Sequence, residues 1–343
     1  MQETQSIYIT KHGAPSVMEF RDDTIPDPKP GEVTVRIHYA GINFADIMSR
    51  MGLYPTAPKP PFVPGFEITG TIEKVGDEST EAFVGKTVVG LSRTHGYSTH
   101  VNVPVDYLFF IDEKWLDVAA AVPVNYLTAY FMMVHQAAIR KDEWFLIHGI
   151  GGGVGIAALQ IAQHLGVNII GTCSGWKHES LRDMGVEHLI DYRTQDFKTE
   201  VMKITKGRGA DVVIDSLGGK ALKDSLGCLS EFGRLISYGF SKAATGNKRN
   251  LLKILPEYFG SPKIKPMGLM MKNQGVMGFH LGLIKKREDL VKKYGQLIFQ
   301  WMKEEVIQPK VDAVFPLEKA ADAHQYIADR KNFGKVLLMA KSV

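Results

Sequence analysis

Cysteine is nearly absent from this sequence: Cys173 and Cys228 are the only two among 343 residues. Two cysteines cannot supply a disulfide framework or a four-cysteine structural zinc site. Residues 1–6 do not show a basic region followed by an apolar core, so we expect no secretory signal peptide. The sequence therefore predicts a reducing, cytoplasmic setting.

The chain also lacks a large excess of charge of one sign, since its net charge is +4. That value is too small for the length to indicate a dedicated nucleic-acid binder. Hydrophobic residues make up 45% and charged residues 23%. These are ordinary values for a soluble globular protein, and they exclude collagen, coiled coil and disorder. At about 100–200 residues per domain, the length predicts two domains.

Charged residues are missing from residues 144–176, a stretch long enough to cross a bilayer. Three successive glycines, Gly151, Gly152 and Gly153, interrupt the stretch, and polar side chains follow in its second half. An apolar run, a glycine turn, a helical pattern and a second apolar run are typical of a buried strand–helix–strand unit. We therefore do not predict a membrane span here.

The character of the chain changes near Pro123. Before it, short alternating strands are separated by clusters of prolines; after it, strands alternate with helical stretches, as in a parallel sheet. The predicted strands are 144–148, 168–173, 188–191, 211–215, 234–238 and 276–279. Six strands are the number in a complete dinucleotide-binding sheet, so we predict an α/β fold with a six-stranded doubly wound (Rossmann) domain and a β-rich second domain.

The turn after the first of these strands is the candidate phosphate-binding motif. Residues 149–155 read GIGGGVG and run directly into a helical pattern. Glycines let the backbone approach a pyrophosphate closely, and the helix N-terminus offers free N–H groups to the anion. The strict G-x-G-x-x-G spacing is absent and G-x-x-G-x-x-G is present, so a tight turn without a ligand is the alternative.

A missing acid indicates which dinucleotide would bind. Proteins that bind NAD usually place Asp or Glu at the end of the second strand, about 20 residues after the glycines, to hold the ribose 2′-OH. No carboxylate occurs from Gly149 to His178, whereas Ser174 and Lys177 offer a donor and a cation for a 2′-phosphate. We predict NADPH; the alternative is a polar loop with a solvated lysine.

Several stretches resemble the medium-chain dehydrogenase/reductase superfamily, in its zinc-free quinone oxidoreductase group. They are residues 40–46 (AGINFAD), 52–54, 63–67 (VPGFE), 128–130, the glycine turn, 211–215 (DVVID) and 332–338 (NFGKVLL). A narrower resemblance, to the vesicle amine transport protein (synaptic vesicle membrane protein) branch, rests on 123–130 (PVNYLTAY), 248–251 (KRNL) and 278–282 (GFHLG).

The resemblance implies an architecture and a reaction. Residues 1–123 and 283–343 would form a GroES-like catalytic domain, and residues 124–282 an NADPH-binding Rossmann domain. A homodimer would join through the edge strand near residues 276–279. The implied reaction is NADPH-dependent hydride transfer to a small-molecule quinone or α,β-unsaturated carbonyl.

The resemblance also indicates whether the protein can bind a catalytic zinc ion. The positions that hold the catalytic zinc in related enzymes are Asn43, Phe66 and about Val124 in this sequence. None of these side chains is a plausible zinc ligand, so we predict no metal site. Without a Lewis acid, the natural acceptors are already electron-poor, as quinones and enones are.

Site residues follow from the same family positions. Tyr54 is the candidate catalytic proton donor or orienting group; the alternative is a loop tyrosine that packs against prolines. For Phe279, plain core packing is an equal alternative to cofactor contact. The predicted cofactor-binding residues are Asn43, Asp46, Thr128, Gly152, Gly153, Val154, Ser174, Lys177, Tyr192, Gly239, Phe279, His280 and Asn332.

Residues 241–275, the basic insert, suggest a second class of function. They contain seven basic residues, one acid and many apolar side chains. Basic and apolar residues together favour anionic membrane surfaces, so a membrane-surface or lipid-binding protein on a reductase scaffold is the alternative function. We favour a lid over the active site with solvated lysines, because a charge run is usually a solvated face.

Overall fold

The computed structural model of the chain describes residues 1–244, 255 and 259–340. The chain begins with a β-rich part. Alternate hydrophobic residues along β3, such as Val33, Val35 and Ile37, pack in one core, so one face of the sheet turns toward it. The strands of this part are β1 (Gln2–Ile9), β2 (Met18–Ile25), β3 (Glu32–Ile42), β4 (Glu67–Val75), β5 (Thr87–Leu91), β6 (His100–Pro104) and β7 (Leu108–Phe110).

Three helices lie beside these strands: α1 (Phe44–Met51), α2 (Leu116–Ala119) and α3 (Pro123–Tyr130). Pro123 occupies the first turn of α3, where its missing N–H costs nothing. A π-helical turn, Phe131–Gln136, extends α3. Nearly all of α3 is buried, because it packs between the two parts of the molecule.

The second part is a six-stranded parallel sheet. Its central strands are buried on both faces, which explains their continuous apolar sequence. The strands are β8 (Trp144–His148), β9 (Asn168–Cys173), β10 (His188–Asp191), β11 (Ala210–Asp215), β12 (Leu229–Ser237) and β13 (Gly275–Gly278), and they lie in the order β10-β9-β8-β11-β12-β13. This is the doubly wound order of dinucleotide-binding sheets, which confirms the predicted fold class.

Helices cover the faces of this sheet: α4 (Gly153–His164), α5 (His178–Asp183), α6 (Phe197–Ile204) and α7 (Gly219–Leu226), with the short α8 (Pro266–Met270) before β13. The predicted strands 144–148, 168–173 and 188–191 have the observed bounds, and the other three differ at their ends. β12 begins five residues before its prediction, at Leu229.

The last part of the chain returns to the first sheet. Its elements are α9 (Glu288–Lys303), β14 (Val311–Pro316), α10 (Ala320–Ala328) and β15 (Lys335–Met339). β15 pairs with β3 in a seven-stranded sheet, ordered β14-β15-β3-β4-β5-β7 with β6 on β3. Helix α9 instead packs with α3 and the core of the parallel sheet.

Within the described residues, no single helix is both long and apolar enough to cross a membrane. The helical stretches Glu113–Ala119 and Pro123–Gln136 reach that length and composition only together, across a bend of 67°.

Candidate functional site

The glycine turn lies at the carboxyl edge of the parallel sheet, between β8 and α4. Gly149 adopts a φ of +67°, which favours glycine. A Cβ atom on Gly155 would lie 2.4 Å from the Gly149 carbonyl oxygen, so Gly155 permits close helix–strand packing. A Cβ on Gly152, the N-cap of α4, would meet only that oxygen, at 3.3 Å. At Gly152 the helix N-terminus therefore has an open side, as an anion requires, whereas Gly153 lies against the Asn125 amide.

Two of the predicted residues meet at the ends of β9 and β10. Ser174 Oγ and the Tyr192 hydroxyl are 3.1 Å apart. Arg330, which the sequence did not identify, donates from Nη1 to the Tyr192 hydroxyl at 2.9 Å. Burial tends to raise the pKa of Tyr192, but the hydrogen bond with Ser174 and the Arg330 charge outweigh it and hold that pKa below its usual value. This hydroxyl-rich cationic cluster suits a phosphate.

Lys177 belongs to the same cluster and is only 8% exposed. Its ammonium donates to the carbonyl oxygens of Asn332 and, at 3.4 Å, of Gly151. Burial lowers the pKa of Lys177, because the charged form loses solvent. The Gly334 N–H also donates to Gly151 O, at 3.1 Å. The segment before β15 is thus fastened to the glycine turn, while the Asn332 amide turns back to Gly334 O at 2.9 Å.

Tyr54 and His280 form a contact between the two parts of the molecule. Tyr54 follows α1 and its left-handed cap Gly52, and His280 follows β13. Their rings stack with centroids 5.3 Å apart and an interplanar angle of 29°. Phe66 tilts against Tyr54 at 6.0 Å. Burial and the Asp46 charge raise the pKa of Tyr54 to about 12, so its hydroxyl stays protonated at neutral pH.

Asn43 and Asp46 are engaged in a buried network at the start of α1. Asp46 accepts hydrogen bonds from the N–H groups of Asn43 (2.8 Å) and Gly65 (3.0 Å), and burial raises its pKa to about 7. The Asn43 amide donates to Glu67 Oε1 at 2.8 Å and accepts from Lys335 at 2.7 Å. Lys335 also forms a buried ion pair with Glu67.

The remaining predicted residues lie around these groups. Thr128 is buried on α3, the helix whose Asn125 amide lies against Gly153. A Cβ on Gly239 would come within 2.9 Å of Ser216 O, so this position requires glycine. Phe279 stacks on Phe131 at 5.6 Å, which is the core packing considered as its alternative.

A buried chain of side-chain hydrogen bonds lies below the glycine turn, and the sequence did not predict it. Ser225 donates to Asp215 at 2.7 Å and therefore accepts from His148 Nε2 at 2.9 Å. His148 Nδ1 then accepts from Thr172 at 3.0 Å. Asp215 also accepts from two backbone N–H groups of the loop after β11. This chain of hydrogen bonds links the carboxyl ends of β8, β9 and β11, which position the site.

The positions aligned with zinc ligands hold other contacts. Asn43 is bound to Glu67 and Lys335, Phe66 packs on Tyr54, and the Val124 N–H donates to Glu67 at 2.7 Å. Within the part of the chain that the structure describes, no group of three or more His, Cys, Asp or Glu side chains could hold a metal ion.

Comparison with known proteins agrees with this architecture. A family model described as alcohol dehydrogenase GroES-like domain matches residues 29–109, and one described as zinc-binding dehydrogenase matches residues 184–338. The synaptic vesicle membrane protein VAT-1 homolog of Danio rerio is 38% identical over 315 residues, which cover 91% of this chain and 65% of that protein. This chain thus spans about two thirds of that relative's length.

Two further matches extend over whole chains. The quinone oxidoreductase of Sus scrofa is 30% identical over 340 residues, or 97% of each protein. The crystal structure of Escherichia coli quinone oxidoreductase complexed with NADPH superposes with a TM-score of 0.85 at 30% identity, and covers 98% of this chain and 99% of that one. The chain therefore belongs to the medium-chain dehydrogenase/reductase superfamily, a family that includes oxidoreductases such as these two.

Proposed function

We propose that this protein is a zinc-independent, NADPH-dependent reductase of quinones or α,β-unsaturated carbonyls. The observation that carries the proposal is the placement of an open glycine turn beside the cationic cluster of Ser174, Lys177, Tyr192 and Arg330. A helix N-terminus suits the pyrophosphate, and the cluster suits the 2′-phosphate that distinguishes NADPH from NADH.

The residues present fit the cofactor well. Gly152, Gly153 and Val154 would hold the pyrophosphate, and the cationic cluster the 2′-phosphate. The backbone at Gly239, Phe279 and His280 would line the nicotinamide at the carboxyl edge of the sheet. Thr128, Asn43, Asp46 and Asn332 complete the predicted set. When bound, NADPH supplies a hydride.

Tyr54 supports an acceptor that carries a carbonyl oxygen. With its pKa raised to about 12, the phenol keeps its proton and can donate it in a hydrogen bond to such an oxygen. Asn43, Phe66 and Val124 offer no zinc ligands, so the acceptor would have to be electron-poor without a metal's help. Quinones and enones meet that requirement.

Oxidation of NADPH by a panel of quinones and enones tests this function. We expect turnover with some members of the panel, little turnover with NADH, and none with simple alcohols or ketones. A Gly152→Val enzyme, in which the cofactor should not bind, is the control for contaminating reductases. Failure of every panel member to oxidise NADPH, with the cofactor demonstrably bound, would contradict the proposal.

We also propose a cytoplasmic homodimer, divided into domains at residues 1–123 with 283–343 and residues 124–282. The free edge of β13 supports the dimer, because the described residues pair this strand only with β12. The two free, buried cysteines support the reducing setting. Light scattering of the purified protein measures its oligomeric state.

A membrane-surface role is the second candidate. Within the described part of the basic insert, Phe259, Met267, Met270 and Met271 are 62–78% exposed, beside Lys263, Lys265 and Lys272. Exposed apolar side chains among lysines favour an anionic lipid surface. Lys248, Arg249 and Lys253, on which the charge argument also depends, lie outside the described residues. We rank this role below the reductase.

A further inference from the structure

His280 has two buried ring nitrogens without a hydrogen-bond partner on any other described residue; the one hydrogen-bonding influence on the imidazole comes from its own backbone. Among the described residues it is the one side chain with two such atoms. Buried polar atoms are nearly always paired in folded proteins, and an exception calls for an explanation such as a catalytic or binding role. The imidazole is therefore a candidate for a hydrogen bond to a ligand.

Contacts of the imidazole and of the neighbouring Phe279 hold this ring in position. The Phe279 N–H donates to Ser237 O at 3.0 Å, which continues the β12–β13 pairing to the carboxyl edge. The Phe279 ring is held on Phe131, and the imidazole itself stacks on Tyr54. A Cβ on Gly282 would lie 3.3 Å from the imidazole Cε1, so the glycine leaves the ring just enough room. Such fixing orders a recognition group before its ligand arrives.

The protonation state suits a hydrogen bond to a neutral oxygen. Burial lowers the pKa of His280 below its usual value, so the imidazole is neutral near pH 7. A neutral imidazole carries one N–H donor and one acceptor nitrogen. The Tyr54 hydroxyl next to it is a second donor, because its pKa is about 12.

We propose that the His280 side chain is a substrate-recognition residue that donates a hydrogen bond to the carbonyl oxygen of the acceptor. This inference rests on the proposed reductase function and names the polar feature that the acceptor must present. The ring stacks on Tyr54 of the β-rich part, whereas the role predicted for this position toward the nicotinamide uses the backbone. The acceptor carbonyl is therefore the favoured partner, and the nicotinamide carboxamide is the competing source of the same chemistry.

The test uses His280→Phe, which keeps an aromatic ring on Tyr54 but removes both nitrogens. His280→Gln restores a donor. The control is His188→Phe, because His188 also packs against an aromatic ring (Trp144, 5.4 Å, tilted by 52°) but lies at the amino end of β10, the opposite edge of the sheet. NADPH affinity, KM and kcat for 1,4-naphthoquinone, and melting temperature are measured for each.

We expect His280→Phe to bind NADPH as the wild type does and to raise KM for 1,4-naphthoquinone at least about tenfold, because the carbonyl loses its donor. His280→Gln should recover part of that loss, and His188→Phe should show none. An unchanged KM in His280→Phe would overturn the proposal. Weakened NADPH binding with an unchanged KM would assign the imidazole to the cofactor carboxamide instead.

A second measurement works without turnover. Imidazole ¹⁵N resonances, assigned to His280 by their loss in His280→Phe, are followed as 1,4-naphthoquinone is added to the complex with NADP⁺. We expect a shift with the quinone and none with NADP⁺ alone. If the wild type reduces no acceptor, the reductase proposal fails while this shift still supports recognition of a carbonyl by His280. Its absence in a saturated complex overturns the inference whatever the activity.

Discussion

The ammonium of Lys177 donates a hydrogen bond to the carbonyl oxygen of Asn332, 155 residues further along the chain. This contact joins the loop after β9 to the segment before β15. The same ammonium lies 3.4 Å from Gly151 O in the glycine turn. The residue that we expect to recognise the 2′-phosphate thus also fastens the β-rich part to the cofactor turn.

Cofactor preference should depend on Lys177. We expect NADPH to bind at least about tenfold tighter than NADH, a difference of about 1.4 kcal/mol. Lys177→Ala should erase most of that preference and barely change NADH affinity, because only NADPH carries the 2′-phosphate. Titration calorimetry with both cofactors measures the effect.

Lys203→Ala is the control for this change, since that lysine is 66% exposed on α6 and pairs with Glu200. Because Lys177 also contacts two carbonyls, the melting temperature of each variant is measured alongside. Equal affinity of the wild type for the two cofactors would contradict the assignment.

The glycine turn offers a matched pair of substitutions. In Gly152→Val the new side chain enters the open side of the turn, so the fold should be kept while NADPH binding is lost. In Gly155→Val the side chain would collide with the carbonyl oxygens of Gly149 and Ile150, at 2.4 and 2.5 Å. We expect that variant to lose stability as well.

Calorimetry and thermal melting separate these two outcomes. Unaltered NADPH binding by Gly152→Val would mean that the turn is not the phosphate site. A Gly155→Val protein with the wild-type melting temperature would contradict the packing role of that glycine.

The sequence predicted the parallel sheet well because its strands are short apolar runs buried on both faces, separated by turns and helices. The bounds of strand β12 were predicted least accurately. Its first half, from Leu229 to Phe232, includes Glu231, and a register shift interrupts the pairing with β11. Such local irregularity leaves no periodic signal.

The side-chain partners at the site could not be predicted. Lys335 and Glu67 form their buried ion pair across 268 residues, and Arg330 reaches Tyr192 across 138. Both members of the first pair lie in stretches that carry the family resemblance, which was the available signal. Arg330 had no such signal beyond its place in a charged turn before Asn332. Contacts of this kind depend on which loops the completed fold brings together.

Metal removal should have no effect. Asn43 and Phe66 occupy the positions of zinc ligands but are already bound or packed, so prolonged chelation should leave turnover and melting temperature unchanged. Elemental analysis should find much less than one zinc per chain. Stoichiometric zinc would overturn the assignment of both residues as non-ligands.

Tyr54→Phe should lower kcat while the ring remains stacked on His280. We expect a loss of at least about tenfold if the hydroxyl assists the reaction, with NADPH affinity unchanged. Because the pKa of Tyr54 is raised to about 12, its hydroxyl stays protonated as pH rises. The ratio of wild-type to mutant kcat should therefore be constant between about pH 6 and pH 10.

The pH dependence of kcat would also show if the Tyr54 hydroxyl does not assist the reaction. A ratio that falls through pH 8 to about pH 9 would show that a group whose pKa lies below the ordinary value of a tyrosine provides the effect. Equal kcat values at all pH values would leave Tyr54 as a loop residue that packs beside His280 and Phe66.

The basic insert separates the reductase from the membrane-surface alternative. Reversing Lys248, Arg249 and Lys253 to Glu replaces three positive charges with three negative ones. If the insert binds anionic lipid, vesicle binding should fall at least about a hundredfold, at about 1 kcal/mol per basic residue near the surface. Binding of the wild type should also weaken steeply with salt, because surface attraction decays over about a Debye length.

If the insert is a lid, which we favour, the wild type should not sediment with anionic vesicles at physiological salt, and the same triple variant should change turnover or acceptor KM. Reversing Lys74, Lys303 and Lys319 to Glu makes an equal change of net charge on exposed lysines elsewhere and should do neither. This control separates a local effect of the insert from a general effect of charge. Strong, salt-sensitive vesicle binding by the wild type, together with no turnover of quinones or enones, would reverse the ranking of the two functions.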